Sequence, residues 1–269
     1  MSTYKKLISI GAGTLFLSLA SVFALTETSP LQAEEVPGNF TIGEIADMEN
    51  VAIGEQVTVR GEVEEIEPGM SFVLEEDKLI GEDEITVINV SNQMLVLPED
   101  SDDLGLQVTG EVGVLVLADI ERDYGLDLDP ELYVEYENKP VILAKSMVLS
   151  PELEDVSENP ENYYGLEIAL EGEIDEVRNA YTFTLKEGEL IFEDEILVIN
   201  NSGMPIPAED EKVVVIGQVR PYIQAEFDRD YDLTWDLDVQ QEIEAEYTEK
   251  PVLVIDSIYP SAEDDGLFE

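Results

Sequence analysis

Two stretches of the chain, 111 residues apart, carry nearly the same sequence. Residues 72–89 read FVLEEDKLIGEDEITVIN, and residues 183–200 read FTLKEGELIFEDEILVIN. Twelve of the 18 aligned positions are identical, which is far more than chance supplies. The chain therefore contains an internal repeat, and its fold is expected to consist of two copies of one unit.

The repeat extends in both directions from this stretch. Upstream, VTVRGEVEEI from Val57 aligns at the same spacing with IALEGEIDEV. Downstream, the spacing falls to 107 residues, where ADIERDYGL from Ala118 aligns with AEFDRDYDL from Ala225, and it then returns to 111. The first repeat spans residues 41–151 and the second repeat spans residues 152–262.

Alternation of apolar and polar residues predicts β-strands in each repeat. Val57, Val59 and Val63 fall on one face of the first strand, with polar residues between them. The third strand, from Ile85 to Val90, is apolar on both faces and is expected to be covered. Glycines interrupt the first and fourth strands at matching places, where they predict bulges or sharp bends: Gly61, Gly172, Gly110 and Gly217.

A helical pattern follows the fourth strand. Asp129-Pro130-Glu131 predicts a helix start in the first repeat, and Asp238 with Gln241 predicts one in the second repeat. A final strand then closes each repeat. Each copy is thus expected to hold about five strands and one helical segment, with a polar linker between them from Ser150 to Asn162.

These motifs resemble a known kind of module. The run GEQVTVRGEV from Gly54, the F-x-L strand and the YENKPVIL run from Tyr136 are similar to the small OB-fold-like modules of exported bacterial proteins that lack an assigned activity. The resemblance implies a mostly β fold of two tandem five-stranded OB-like barrels and nothing catalytic. Curled sheets are the alternative, because the usual helix between strands three and four is replaced by the Ser91–Asp103 loop.

Composition excludes several classes of active site. The chain has 269 residues, with 63 acidic and 13 basic side chains, no Cys, no His and a formal net charge of −50. Without Cys there is no disulfide, thiolate nucleophile, zinc–thiolate site or Fe–S cluster, and without His there is no Ser-His-Asp triad. We therefore predict no enzyme and no catalytic residue, and no cofactor except Ca²⁺, which oxygen ligands suit.

The charge also predicts partners and habitat. So negative a surface repels the phosphates of nucleic acids and an anionic membrane surface, so neither is expected as a partner. Cations or a protein partner are expected instead. Because the acid excess with few lysines resembles the surfaces of halophilic proteins, the fold is expected to weaken at low ionic strength.

The N-terminus predicts export. Residues 1–33 are expected to form a signal peptide, with two lysines, an apolar run over residues 7–25 and cleavage after Ala33, or earlier after Ala24. The mature protein is then periplasmic or extracellular, and an uncleaved membrane anchor is the alternative. Residues 34–40 are expected to be an N-terminal linker and residues 263–269 an acidic tail.

Acidic loops are the candidate metal site. The second repeat spaces acids like the first half of an EF-hand loop, and the first repeat has acids in the matching place. The predicted ligands are Asp228, Asp230, Asp232, Asp236, Glu121, Asp123, Asp127 and Asp129. An EF-hand itself is rejected, since Leu233 and Val239 stand where glycine and the closing glutamate are needed. A solvated acidic face is the alternative.

Two further patterns recur in both repeats. The turn between strands two and three reads E-D-E at 82–84 and 193–195, where Glu82 and Glu84 could share a cation or simply block edge pairing. Basic and tyrosine residues also recur as pairs: Arg122 with Arg229, Lys139 with Lys250, Tyr124 with Tyr231 and Tyr136 with Tyr247. They predict either a groove for an acidic or sugar-like ligand or, as we favour, ion pairs that tie the helical segment to the barrel.

The leading functional prediction is a non-catalytic, exported, acidic binding or scaffold protein of two repeated OB-like modules. The alternative is a divalent-cation (Ca²⁺) binding protein that uses the acidic loops. A carboxylate-dependent hydrolase is the third class, although no pair of carboxylates stands out to carry it.

Overall fold

The computed structural model describes residues 38–48, 51–76, 83–91, 105–187, 194–230, 237–248 and 250–262. The elements of the first repeat and its leading strand are β1 (Gly38–Asn39), α1 (Ile42–Ala46), β2 (Gln56–Glu67), β3 (Ser71–Glu76), β4 (Asp83–Asn89), β5 (Gly105–Val114), α2 (Leu117–Tyr124) and β6 (Pro140–Leu149). Those of the second repeat are α3 (Leu153–Glu158), a 3₁₀ turn (Pro160–Asn162), β7 (Glu167–Asn179), β8 (Thr182–Glu187), β9 (Asp194–Asn200), β10 (Lys212–Pro221), α4 (Gln224–Asp230), α5 (Leu237–Tyr247) and β11 (Pro251–Pro260).

The strands of the first repeat form a closed ring. Strand β2 pairs with β3, β3 with β4, β4 with β6, β6 with β5, and β5 again with β2. All of these pairs are antiparallel except β4 with β6, which is parallel. The prediction of a mostly β fold with a closed five-stranded barrel is confirmed, and closure excludes an open curled sheet for these strands.

Strands β7 to β11 follow the same order of pairing. Strand β7 pairs with β8, β8 with β9, β9 in parallel with β11, β11 with β10, and β10 with β7. The two sets of strands meet at a parallel bridge between Leu149 of β6 and Ile168 of β7. Residues 38–39, expected as linker, form a similar parallel bridge to the start of β2.

The alternation of the sequence decides which side chains enter the cores. Val57, Val59 and Val63 are buried together inside the first ring, as the pattern predicted. The third strand is covered on both faces, since Val87 lies in that core and Ile88 lies in a second cluster outside it. Burying apolar surface on both faces of a strand removes it from water and stabilises the pairing.

The strand glycines mark irregular or crowded places, as expected. The register shifts between Thr109 and Gly110 and between Ile216 and Gly217, which are the bulge positions. At Gly61 the strand is close to its neighbours: a Cβ atom there would lie 2.4 Å from the Glu75 carbonyl oxygen and 2.6 Å from the Ile42 side chain. Glycine therefore permits the sharp coiling of these strands.

A short helix enters each core from the chain that precedes the first strand. Ile42 and Ile45 of α1 are buried in the first core, and Leu153 and Val156 of α3 are buried in the second. The prediction of a polar linker from Ser150 to Asn162 is wrong, because these residues form α3 and the 3₁₀ turn. Two apolar side chains at helical spacing within a polar stretch are enough to anchor a short helix.

The segment between the fourth and fifth strands differs in part from the prediction. In the second repeat, α5 begins at Leu237, next to the predicted start at Asp238. In the first repeat the helix is α2, and the predicted start at Asp129 leads only to turns. Tertiary bonds hold these turns, since Glu67 accepts from the Asp129 amide at 3.2 Å and the Leu115 carbonyl accepts from the Asn138 amide at 2.8 Å.

The residues on which the export prediction rests are not among those that the structure describes. Residues 1–33 and the tail at 263–269 are outside the described residues, so the signal-peptide prediction stays a prediction. Within the described ranges, no helix has both the length and the apolar character that crossing a bilayer requires.

Candidate functional site

A cleft of about 410 Å³ lies where the two repeats meet. It is formed by β2 and β3 of the first repeat, by β7, β8 and β10 of the second, and by the chain that joins them. Its ionisable lining consists of six glutamates and two basic residues: Glu62, Glu75, Glu76, Glu152, Glu171, Glu187, Arg60 and Lys212. The cleft is therefore acidic overall, with its positive charge concentrated at one side.

An ion-pair network closes one side of the cleft. Arg60 of β2 forms an ion pair with Glu171 of β7, and Lys212 of β10 pairs with the same carboxylate. Ser261 joins this network by donating to Glu171 and accepting from Arg60 Nη2 at 3.4 Å. Burial lowers the pKa of Arg60 to about 10, so the guanidinium is still charged at neutral pH.

Glu187 also lines the cleft, at the end of β8. Its Oε2 accepts from the Leu153 amide at 2.9 Å, so this carboxylate serves as the N-terminal cap of α3. Burial raises the pKa of Glu187 above its usual range, and the bond from Leu153 opposes that shift. Glu187 thus caps α3 from the cleft while its side chain stays exposed.

The acidic residues predicted as metal ligands in the first repeat have other partners. Glu121 accepts from the Leu128 amide at 3.1 Å, and Asp129 accepts from the Glu131 amide at 3.0 Å. Asp123 pairs with the neighbouring Arg122, whose hydrogen bond lowers the pKa of this aspartate. Asp127 is exposed in the loop after α2.

The predicted ligand side chains of the second repeat are outside the described residues. Asp228 and Asp230 are part of α4, but the structure does not describe their side chains. Asp232 and Asp236 are outside the described residues altogether. Among the described residues, no three acidic side chains converge as a metal site requires. The Ca²⁺ site in this loop therefore stays a prediction.

The two acidic turns contact the segment that precedes the last strand. Glu84 lies 3.8 Å from Lys139 Nζ, and Glu195 accepts from Tyr247 Oη at 2.8 Å. Glu82 and Glu193 are outside the described residues, so the predicted cation between Glu82 and Glu84 is not tested. The described turn residues link the third strand to the segment outside the barrel.

The repeated basic and tyrosine residues divide into two groups. Lys139 Nζ lies 5.6 Å from the Tyr136 ring centre, and Lys250 Nζ lies 5.2 Å from the Tyr247 ring centre, which is the cation–π arrangement in both repeats. Arg122 instead bonds to Asp119 and Asp123 of its own helix. The prediction that this arginine ties the helix to the barrel is wrong.

A residue outside the repeated pattern performs that role. Arg178 at the end of β7 pairs with Glu246 of α5 at 3.1 Å and lies 5.4 Å from the Tyr247 ring centre. Its equivalent in the first repeat is Glu67, which accepts from Tyr133 Oη at 3.0 Å. We call the chain between the fourth and fifth strands of each repeat, residues 115–139 and 222–250, the outer segment. Both positions fasten this segment to the barrel, although the two residues have opposite charge.

This outer segment covers the part of the barrel where OB-folds commonly bind ligands, namely the face of the second and third strands. Ser71 Oγ of β3 and Tyr133 Oη are 2.6 Å apart, and Ile88 of β4 packs in the cluster that contains Tyr133. In the second repeat, Leu197 of β9 packs with Tyr247 in the same way. The cleft between the repeats is instead an open surface on which charged groups converge.

No protein-family model and no curated protein matches this chain. Comparison with solved structures finds similarity to the single-stranded DNA binding protein of Thermus aquaticus, at 10% sequence identity and a TM-score of 0.20. The match covers 81% of this chain and 98% of that chain. A likeness this low does not transfer that protein's function to the present one.

The comparison corrects one prediction. From the net charge, no nucleic acid was expected as a partner. The similar structure belongs to a single-stranded DNA binding protein, so that exclusion is wrong. Net charge averages over the whole surface, whereas binding depends on the local field at one site.

Proposed function

We propose that this chain is a non-catalytic, exported, acidic binding or scaffold protein, in which two OB-like modules are held together and bind a partner at the cleft between them. The observation that carries the proposal is that cleft, which has about 410 Å³ of space and six glutamates against two basic residues. Its size falls within the usual range of binding pockets.

The chemistry of the cleft favours a cationic partner. The chain's formal net charge of −50 attracts positive groups over long range, and the cleft carboxylates then supply local contacts. Glu62 and Glu152 are exposed at the cleft and belong to different repeats. Carboxylates spread in this way suit the separate lysine and arginine side chains of a basic protein segment better than one metal ion.

The outer segments support the choice of the cleft. They cover the barrel faces on which OB-folds commonly bind, through the Ser71–Tyr133 contact in the first repeat and the Glu195–Tyr247 bond in the second. A partner that uses those faces would have to displace buried tyrosines, whereas the cleft is open. We therefore assign binding to the cleft.

The test is titration of the protein with a fluorescent oligolysine peptide at fixed ionic strength, followed by anisotropy. The double variant E62Q/E152Q removes two cleft carboxylates, and E154Q/E158Q removes two exposed carboxylates of α3 that do not line the cleft. We expect the cleft variant to weaken binding by about tenfold and the control by less than about twofold.

Equal weakening by the two variants would mean that attraction is spread over the surface, and would contradict a site at the cleft. Parallel melts in CaCl₂ and MgCl₂ at matched ionic strength test the acidic-loop alternative. A rise in melting temperature with micromolar Ca²⁺ and not with Mg²⁺, together with no peptide binding, would favour the Ca²⁺-binding function instead.

A further inference from the structure

The two repeats contact each other through equivalent positions. Arg60 and Glu171 are 111 residues apart and occupy the same place in the repeat. They nevertheless form an ion pair where the two repeats meet, a contact region that we call the junction. Contact between equivalent positions requires that the copies face one another with the same surface, as the subunits of a two-fold symmetric dimer do. The junction therefore resembles a dimer interface contained in one chain.

The packing around this pair supports the same arrangement. Gln107 of β5 is buried although its neighbours Leu106 and Val108 point into the first core, and its Oε1 accepts from Tyr259 Oη of β11 at 2.7 Å. Val214 of β10, which pairs with Tyr259, is buried outside the second core. The fourth strand of the first repeat and the fifth strand of the second thus take part together with the first strands.

The charges at the central position differ between the copies. The first repeat has an arginine there and the second has a glutamate, and each side chain is only 19% exposed. If two first repeats met through this face, Arg60 would lie against Arg60; if two second repeats met, Glu171 would lie against Glu171. Like charges that are mostly removed from water repel strongly.

We propose that Arg60 and Glu171 make the junction face of each repeat specific for the other repeat, and that they prevent two like repeats from pairing, within one chain or between two chains. Lys212 strengthens the rule, since it pairs with Glu171 and would be repelled by an arginine in its place. The proposal concerns how the repeats recognise each other and does not depend on what the cleft binds.

Single charge reversals reproduce the like pairings within the intact chain. R60E brings two glutamates together, as in a pair of second repeats, and E171R brings two arginines together, as in a pair of first repeats. R60E/E171R restores an opposite pair in reversed order. All three are made in a background that carries N39C and P260C, because Asn39 Nδ2 donates to the Pro260 carbonyl at 3.1 Å across the junction.

The rate at which a short bis-maleimide crosslinks the two cysteines within a chain reports a closed junction, and the chain has no native Cys to interfere. We expect each single reversal to slow crosslinking by about tenfold or more. The double reversal should recover part of that loss, because it restores the opposite pair but places an arginine at 171 beside Lys212. K145E, which breaks the exposed pair with Glu111, is the control and should leave the rate unchanged.

Circular dichroism establishes whether each variant folds. Loss of folding in the single reversals with recovery in the double reversal supports the proposal in the same way as the crosslinking rates. Single reversals that crosslink like the parent, or a double reversal that is as slow or as unfolded as the singles, would overturn it.

Discussion

Gly217 lets the backbone of β10 approach that of β11 more closely than any side chain allows. A Cβ atom at this position would lie 2.1 Å from the Val254 carbonyl oxygen. We therefore expect Gly217→Ala to lower the free energy of unfolding by about 1–3 kcal/mol, measured by urea denaturation. Gly113→Ala is the control, because its Cβ would have no neighbour closer than 3.5 Å, and it should be neutral or slightly stabilising.

Glu187 gives a pH-dependent prediction at the same scale. Burial raises the pKa of its carboxyl in the folded state, so its contribution to stability is complete below the ordinary glutamate pKa and is lost as pH rises through the folded-state value. Glu187→Gln keeps an oxygen that can accept from the Leu153 amide. It should raise the free energy of unfolding at pH 7, with the gain vanishing near pH 3.

The matched control for this prediction is Glu154→Gln, which removes the same charge from an exposed position on α3. Relief of general repulsion stabilises both variants at pH 7, so the informative quantity is the difference between them. Urea denaturation at several pH values that gives identical gains for the two variants would contradict a disfavoured charge at Glu187.

At the level of elements, α3 is the part of the fold that the sequence pattern concealed. Leu153 is fully buried in the second core, whereas the next residue, Glu154, is exposed. We expect Leu153→Ala to lower the free energy of unfolding by about 2–5 kcal/mol and Glu154→Ala to change it by less than about 0.5 kcal/mol. Similar effects of the two changes would show that α3 does not belong to the core.

The strands were predictable from sequence and the outer segments were not, for physical reasons. Period-two alternation in β2 identifies the residues that enter the core because each strand has one face buried. The turns after Asp129 were predicted as a helix because its cap signal is local, while the bonds from Asp129 to Glu67 and from Asn138 to Leu115 are tertiary. Local propensity is overridden where such contacts compete.

The candidate site was only partly visible in the sequence. Acidic clusters in the sequence indicated the loops near Asp123 and Asp228, but so many acidic residues form such clusters by chance. The informative signal was a difference within the repeat: at equivalent positions VTVRGEV has Arg60 and IALEGEI has Glu171. Opposite charges at matched places in a repeat indicate contact only once the copies are known to face each other.

For the whole molecule, the charge of −50 predicts a dependence on salt. Repulsion among the carboxylates destabilises the folded state and is screened as ionic strength rises. The melting temperature should therefore increase from low to molar NaCl, and KCl should act alike because screening does not depend on ion identity. A melting curve unchanged over this range would contradict the interpretation of the acidic surface.

The central claim is that the two repeats form one unit with a fixed cleft between them. Since the chain has no Cys, spin labels at Ala52→Cys and Ala225→Cys, both exposed and in different repeats, report their separation by double electron–electron resonance. The bonded junction predicts one narrow distance peak that is the same at low and high salt. A broad or multiple distribution in the otherwise native protein would contradict it.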